Sequence, residues 1–237
     1  MGALKANLTA WVTGVATDPA GTALIRRVRR EHLTYLEPAA LFDLRGAVRN
    51  ADRAGVRGVM VECGCALGGS AIVLGASRRD TDRALYIFDV FGMIPPPSEN
   101  DGEDVHNRYS EIAEGKAKGL AGDPYYGYQD DLLREVEGTF ARFGMTPDGS
   151  NVHLIKGLFE DTVFPTWPVA VAHIDGDWYE SVKVCLDRLW PTVVPGGRVV
   201  IDDYFHWSGC RHAVDEFLVG RMDCKRVERA RLHLIKQ

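Results

Sequence analysis

Hydrophobic and polar positions alternate along the chain in a rhythm that changes near residue 57. From there, five short and nearly continuous apolar runs appear, each ending beside a glycine or an acidic residue. The runs cover residues 57–64, 83–92, 151–157, 169–177 and 196–204. Because they have no polar face, they are typical of parallel strands that helices cover on both sides.

Segments with helical spacing separate and follow these runs. They cover residues 69–79, 130–144, 181–191 and 210–221. An alternation of strands and helices predicts an α/β fold with a doubly wound, Rossmann-like sheet. The tail, residues 224–237, is interpreted as two further strands that close the sheet.

Two more helices are predicted before the first strand, over residues 20–54. The first of them is expected to stop at Pro38, because proline disfavours helix in the residue before it. The sequence contains no low-complexity linker that would divide the chain. We therefore expect a single domain, residues 1–237, with an N-terminal helical cap over residues 1–55.

One segment, residues 92–129, is too long for the loop that would connect two elements of such a fold. It is polar, then rich in glycine, and then aromatic at Tyr125, Tyr126 and Tyr128. Loops of this length are uncommon in compact domains and often serve as functional lids. A disordered surface insertion is the alternative. The three tyrosines favour an ordered cover, which we call the lid insertion.

Composition excludes several classes of protein. The chain has 237 residues, 46% of them hydrophobic, which suffices for one sizeable core. Its net charge is −5 and it shows no basic stripe, so nucleic acid is not an expected partner. No apolar run approaches the ~18 residues that span a membrane, and a cytoplasmic protein is expected. Five scattered cysteines are interpreted as reduced packing residues. Apolar Leu8, Trp11 and Val12 favour a homo-oligomer through an N-terminal arm.

A turn of small residues follows the first predicted strand and opens a helix. Its sequence, "VECGCALGGS", contains Glu62, Gly64 and Ser70. Small residues allow a sharp turn and a close approach of the backbone to a ligand. The turn lacks the G-x-G-x-x-G spacing of dinucleotide sites, and a carboxylate at Glu62 suits an ammonium group better than a pyrophosphate. S-adenosylmethionine carries an ammonium and a sulfonium and no phosphate, so it is the cofactor that this turn predicts.

Two further positions fit a nucleoside. Asp89 ends the second predicted strand, where an acid can hydrogen-bond both ribose hydroxyls. In "IKGLFEDT", after the third strand, Asp161 could meet the adenine amino group and Phe159 its face. A solvated loop acid is the alternative for Asp161.

Four acids follow two of the predicted strands. Asp175 and Asp177 end the fourth strand, and Asp202 and Asp203 end the fifth. Parallel strands end at one edge of the sheet, where ligands bind. Like charges packed there cost free energy unless they are neutralised, and Mg²⁺ prefers oxygen ligands. Helix capping is the alternative role for these acids.

This set predicts a metal site with a base beside it. Asp175, Asp202 and Asp203 are the candidate Mg²⁺ ligands, and Asp177 is the candidate general base that takes a proton from a substrate hydroxyl. His206 is the other candidate base. His173, inside the fourth strand, is interpreted as a core histidine.

Six segments, in order from about residue 57 to 218, resemble the macrocin O-methyltransferase family. They read "VECGCALGGS", "FDVFG", "KGLFEDT", "HIDGDWYES", "LWPTVVPGGRVVIDDY" and "GCRHAVDEF". The resemblance implies a class I, S-adenosylmethionine-dependent enzyme of antibiotic biosynthesis that uses Mg²⁺. Its acceptor would be a hydroxyl on a sugar of a glycosylated natural product. The roles implied for the four aspartates agree with those given above. The N-terminal helices and the lid insertion would close over the site.

Three other functions are alternatives to this one. A catechol-type O-methyltransferase would use the same donor and metal on an aromatic diol, but typically carries Asp-Asn where this chain has Asp202 and Asp203. A nicotinamide-dependent oxidoreductase would need the missing dinucleotide motif. A non-catalytic scaffold would have lost the donor or metal residues, which are all present.

Overall fold

Seven strands form one sheet, in the order β3-β2-β1-β4-β5-β7-β6. The structure is a computed structural model that describes residues 2–237, with side chains from residue 7 onward. The strands are β1 (Val59–Cys63), β2 (Leu85–Asp89), β3 (Val152–Lys156), β4 (Val169–Ile174), β5 (Val193–Ile201), β6 (Cys224–Glu228) and β7 (Leu232–Lys236). The five predicted strands and the two strands predicted in the tail are confirmed.

Helices cover both faces of the sheet, as predicted for a doubly wound fold. They are α1 (Gly2–Thr17), α2 (Pro19–Arg30), α3 (Pro38–Arg53), α4 (Gly69–Gly75), α5 (Glu103–Ala113), α6 (Leu132–Arg142), α7 (Phe159–Thr162), α8 (Tyr179–Leu189) and α9 (Ser208–Leu218). None of the helices in the described residues is long and apolar enough to cross a membrane.

Strand pairing decides which residues meet at the edge of the sheet. Strands β1 to β5 are parallel, whereas β7 pairs antiparallel with both β5 and β6. In the register, Cys63 lies opposite Ile174, and Ile174 lies opposite Ile201. The residues that follow these three positions, Gly64, Asp175 and Asp202, are therefore neighbours.

Two hydrophobic clusters lie on opposite faces of the sheet. One packs α2, α3, α4 and α6 against it, and the other packs α8 and α9 against it. The central strand β4 is buried at every position, which explains its unbroken apolar sequence. Four of the five cysteines are buried, as packing residues are, and Cys224 is partly exposed. Their reduced state stays a prediction.

The end predicted for the first of the two helices in residues 20–54 was wrong. Helix α2 ends at Arg30, not at Pro38. The N–H of Leu33 bonds to the carbonyl of Val28, while His32 adopts a left-handed conformation with φ of 53°. This is the geometry in which glycine commonly ends a helix. Because a histidine occupies the position, the sequence carried no signal for it.

The N-terminal helices pack on one another. Trp11 of α1 meets Phe42 of α3 edge to face, with ring centroids 5.7 Å apart. Leu8 and Val12 are each 64% exposed on α1. The homo-oligomer predicted from these apolar residues stays a prediction, as does the division of the chain into one domain with a cap.

The lid insertion is ordered. It contains α5 and two short 3-10 turns, Leu120–Gly122 and Tyr126–Tyr128. Tyr125 is 4% exposed and packs in a small cluster with Ile112 and Ala117. The three tyrosines therefore belong to a small hydrophobic cluster inside the insertion, and this cluster orders the segment.

A buried ion pair holds α2 and α3 together and generates a testable pH dependence. Asp18 caps α2 through the N–H of Gly21 and pairs with the guanidinium of buried Arg45. The hydrogen bond from Arg45 lowers the pKa of Asp18 from 3.8 to about 2. A lowered carboxyl pKa adds stability that is complete above pH ~4 and is lost as pH falls towards 2.

We expect Asp18→Asn to remove this pH-dependent part of the stability. Asparagine still caps the helix, so the variant should lose ~1–2 kcal/mol at pH 7 and roughly a third of that at pH 2.5. Denaturant unfolding at both pH values measures the difference. An equal loss at pH 7 and pH 2.5 would show that the charge of Asp18 contributes nothing.

Candidate active site

The site lies where β1, β4 and β5 end. Gly64 has φ of +88°, and a Cβ on it would collide with the backbone carbonyl of Asp175. The glycine-rich turn after β1 and the acidic loop after β4 therefore touch through their backbones. Only glycine permits this approach, because both the space and the left-handed conformation exclude a side chain.

Asp89 closes the glycine-rich turn. Its Oδ2 accepts hydrogen bonds from the N–H groups of Cys65 (2.7 Å) and Ala66 (3.1 Å), and its Oδ1 accepts one from Phe91 (2.7 Å). Two further N–H groups, of Gly68 and Gly69, bond to backbone carbonyls. A phosphate would find these donors already engaged, which argues against the dinucleotide alternative.

A cleft opens beside this turn. Its narrower part, of about 480 Å³, is lined by Gly64, Asp89 and Asp175 on one side and by Phe159 and Glu160 on the other. Phe159 lines this part of the cleft, and its predicted contact with the adenine face stays a prediction. Asp161 is exposed and is not among the lining residues. Its predicted contact with adenine stays a prediction.

Glu62 lies beneath the turn, with no exposed surface. Its Oε1 is 2.7 Å from Nδ1 of His173, and its Oε2 has no hydrogen-bond partner. Burial raises the pKa of Glu62, against the lowering effect of His173. Ser70, also buried, lines the wider part of the cleft next to this layer.

His173 joins the two ends of the site. Its Nε2 lies 3.5 Å from Oδ1 of Asp202, at ion-pair distance. Burial disfavours the imidazolium, but Asp202 and Glu62 outweigh it and raise the pKa of His173 to about 9. The core histidine expected from the sequence is therefore buried between two carboxyl groups that favour its charged form.

Arg231 is the second counter-charge of Asp202. It lies in the turn between β6 and β7, and its Nε donates to Oδ1 of Asp202 at 2.6 Å. Burial opposes ionisation of Asp202, but hydrogen bonds and charges of His173 and Arg231 lower its pKa overall. Both cations contact Oδ1, which leaves Oδ2 as the oxygen that Asp202 could offer to a ligand.

The other three acids face one another. Asp175, Asp177 and Asp203 each present an oxygen within 4.8 Å of the others. Burial and the charges of neighbouring carboxylates raise the pKa values of Asp175 and Asp203 well above the ordinary range. A divalent cation would relieve this repulsion, and an all-oxygen donor set fits Mg²⁺.

Asp177 occupies an unusual backbone conformation, with φ of 54°. Its N–H donates to Oδ2 of Asp203 at 3.3 Å. Burial, followed by the charge of Asp202, raises its pKa to about 7. Left-handed non-glycine residues cluster at functional sites, where the surrounding structure holds them.

The wider part of the cleft, about 1080 Å³, has aromatic walls above the acids. They are formed by Tyr35, Tyr125, Tyr126, Trp178 and Trp207. Exposed His206 also lines this part, so both candidate bases reach the cleft. Arg108 of α5 adds a cation from the lid insertion.

Several of these lining residues were missed in the sequence. Tyr35 belongs to residues 31–37, which were assigned to a helix. Arg231 reaches the acids only because β7 inserts between β5 and β6, a pairing that no local pattern reveals. Trp178 directly follows Asp177 and Trp207 lies four residues after Asp203, and this closeness to the acidic pairs is the signal that the sequence offers.

This chain is similar in sequence to known O-methyltransferases. The family model described as macrocin-O-methyltransferase (TylF) matches residues 32–223. The chain is 36% identical, over 69% of its length, to 8-demethyl-8-(2,3-dimethoxy-alpha-L-rhamnosyl)-tetracenomycin-C 4'-O-methyltransferase of Streptomyces olivaceus. It is 31% identical, over 75% of its length, to demethyldecarbamoylnovobiocin O-methyltransferase of Streptomyces niveus. These matches cover 59% and 64% of the two relatives, so the chain spans about three fifths of their length.

One solved structure is similar in both fold and sequence. The O-methyltransferase NovP superposes with a TM-score of 0.69 at 25% identity, covering 86% of this chain and 81% of NovP. The alternation of strands and helices predicts a doubly wound sheet, and this is the kind of sheet found in Rossmann-like O-methyltransferases such as NovP.

The buried histidine gives a prediction for stability. We expect His173→Gln to lower the free energy of unfolding by ~3 kcal/mol at pH 7, because it leaves the Glu62 carboxylate buried without a counter-charge. His153→Gln is the matched control, since His153 is partly exposed and pairs with exposed Asp148. Denaturant unfolding measures both variants. If both variants lose a similarly small amount of unfolding free energy, the contacts of His173 stabilise the protein no more than a surface ion pair does.

Proposed function

The chain belongs to the macrocin-O-methyltransferase family, and from this we propose that it methylates a hydroxyl on a sugar of a glycosylated natural product. The methyl donor would be S-adenosylmethionine, and the setting would be antibiotic biosynthesis. One observation carries the proposal. The glycine-rich turn at Gly64 lies in backbone contact with an acidic loop at Asp175, so a methyl donor and an activated hydroxyl can meet in one cleft.

The donor would occupy the narrower part of the cleft. Asp89 lines it and can bond the ribose through lone pairs that its backbone contacts leave free. Phe159 offers a face to the adenine. Glu62, with one oxygen unpartnered beneath the turn, suits the ammonium group, and Gly64, Ser70 and Asp161 complete the proposed donor set.

A divalent cation would lie among the acids. Asp175, Asp203 and Oδ2 of Asp202 are the proposed ligands, because the last residue has its other oxygen neutralised by Arg231. When bound, Mg²⁺ supplies positive charge that favours an ionised hydroxyl. It would also relieve the electrostatic repulsion among these carboxylates.

Asp177 is the proposed base. As the acceptor oxygen forms a bond to the methyl carbon, the carbon–sulfur bond of the donor breaks and the hydroxyl proton passes to this carboxylate. Asp177 lies close to Asp175 among the residues that line the wider part of the cleft, where the acceptor hydroxyl would lie. Most of the remaining acceleration would come from alignment of the oxygen with the methyl group. His206 is the alternative base.

The aromatic walls suggest what the acceptor looks like. The apolar faces of sugar rings stack on tryptophan and tyrosine, and the cleft is large enough for a glycoside. The same walls would accept a planar ring, which favours an aromatic diol as the second candidate. Turnover of glycosylated acceptors beside a catechol separates the two.

Donor binding is the first experiment. We expect S-adenosylhomocysteine to bind the purified protein with micromolar affinity in isothermal titration. Glu62→Gln should weaken the binding about tenfold, because it removes the charge proposed to face the ammonium group. Measurements with Mg²⁺ and with excess EDTA show whether the cation matters to the donor. Absence of binding under both conditions would refute the donor site.

The base has a separate test. We expect Asp177→Asn to leave S-adenosylhomocysteine binding unchanged and to reduce turnover by ~10²–10⁴-fold, the usual contribution of a general base. EDTA should abolish turnover of the unmodified protein and Mg²⁺ should restore it. His206→Gln tests the alternative base in the same assay, and we expect a smaller loss of turnover than in Asp177→Asn. Wild-type turnover in the Asp177 variant would assign the proton transfer elsewhere.

A further inference from the structure

The lid insertion is attached to the two helices that follow the acidic loops. Helix α8 begins directly after Asp177 and Trp178, and α9 begins directly after Trp207. Neither tryptophan can cap its helix with its own side chain. The first N–H groups of both helices are instead bonded by residues from the lid insertion.

Asp101 supplies the cap of α8. Its Oδ1 accepts a hydrogen bond from the N–H of Tyr179 at 2.8 Å, and its Oδ2 accepts one from the N–H of Ser98 at 2.9 Å. The side chain is fixed from both sides, and the residue is only 8% exposed. A carboxylate at this place also interacts favourably with the positive end of the helix dipole.

Asp104 supplies the cap of α9. Its Oδ2 accepts a hydrogen bond from the N–H of Ser208 at 2.9 Å, and its Oδ1 accepts the hydroxyl of the same serine. The serine oxygen in turn accepts the N–H of Gly102 at 3.2 Å. Asp104 lies in the first turn of α5, so α5 and α9 are joined at their N-termini.

Gly209 shows that this contact constrains the sequence. It lies inside the first turn of α9, where alanine would ordinarily stabilise a helix by ~1 kcal/mol. A Cβ at this position would collide with Oδ1 of Asp101 and would lie 3.0 Å from the nitrogen of Tyr179. Because Asp101 is held by two partners, it cannot move aside without losing one of them.

The contacts between the lid insertion and the two helices extend to residues that line the cleft. Nε1 of Trp178 donates to the carbonyl of Pro95 at 3.0 Å, and Trp178 packs edge to face on Trp207 with centroids 5.6 Å apart. Both tryptophans line the wider cleft, and so does Arg108 of α5. The same contacts therefore place the lid insertion and the tryptophan walls.

We propose that Asp101 and Asp104 are positioning residues, which hold the lid insertion over the cleft by capping α8 and α9 from outside those helices. The identity of the cleft as an acceptor site rests on the proposed function, whereas the attachment itself does not. When the caps are intact, α5 and the tyrosine cluster stay over the acids. When they are broken, the insertion opens as a unit while the sheet remains folded.

Hydrogen–deuterium exchange of the free protein tests the attachment without any ligand. We expect Asp101→Ala and Asp104→Ala to speed exchange roughly five- to tenfold, as loss of a helix cap does, at Tyr179 and Ser208 and also throughout α5. Asp101→Asn should restore most of the protection, because its side-chain oxygen still accepts the hydrogen bond. Asp131→Ala is the matched control, since Asp131 caps its own helix, α6.

Faster exchange at Tyr179 or Ser208 alone, with α5 unchanged, would overturn the proposal and reduce the two aspartates to ordinary helix caps. Unchanged exchange everywhere would overturn it as well. If an aspartate variant fails to fold, Ser208→Ala removes the hydroxyl contact with Asp104 and carries the same expectation at α5.

A pair of glycine variants tests the constraint from the other side. Gly209→Ala should speed hydrogen exchange in α5, as Asp101→Ala does. Gly46→Ala is the matched control, because Gly46 lies inside α3 and an added Cβ would have no atom within 4 Å. It should leave exchange in α5 unchanged and raise the melting temperature by roughly 2–4 °C. If both alanines stabilise the protein equally, Gly209 is not constrained by the lid insertion.

For turnover, we expect Asp101→Ala to raise the acceptor KM at least fivefold while the affinity for S-adenosylhomocysteine changes less than twofold. Asp101→Asn should recover the acceptor KM. A loss confined to kcat would contradict a positioning role. Because exchange is measured without donor or acceptor, failure of the proposed methyl transfer leaves the result on the attachment intact.

Discussion

Repulsion among carboxylates at the ends of two neighbouring strands is the constraint on which the rest of the molecule depends. Asp175, Asp177 and Asp203 share a small, partly buried volume, and Asp202 adjoins it. Among the described residues, cations contact only the last of these acids, through Arg231 and His173. Three acids without a cation in contact are destabilising on their own, and the proposed divalent cation would relieve their repulsion.

The neighbouring elements can be understood as supports for this arrangement. The hairpin of β6 and β7 delivers Arg231 to the acids, and β4 delivers His173, whose other nitrogen meets Glu62 under the glycine-rich turn. Buried charges of alternating sign thus extend from the proposed donor site to the proposed metal site. Each member would be unstable without its neighbours, which ties the two halves of the cleft into one structural unit.

The sequence revealed those parts of the fold that local patterns encode. Unbroken apolar runs marked the parallel strands, and the acids at their ends marked the edge of the sheet where the site lies. Nonlocal features escaped. His32 ends α2 in a conformation that glycine usually adopts, and Arg231 acts across a strand pairing. The caps from Asp101 and Asp104 join residues more than 70 positions apart, and no spacing rule connects them.

The backbone contact between Gly64 and Asp175 has a consequence for how such a protein can diversify. It places the proposed donor and metal positions side by side through main-chain atoms, so their separation does not depend on a side chain at the point of contact. The walls of the wider cleft come from residues 31–37, the lid insertion and the loops before α8 and α9. These segments are distant in sequence and lie outside the strands. New acceptors could therefore be accommodated by remodelling the periphery while the chemical centre is inherited unchanged.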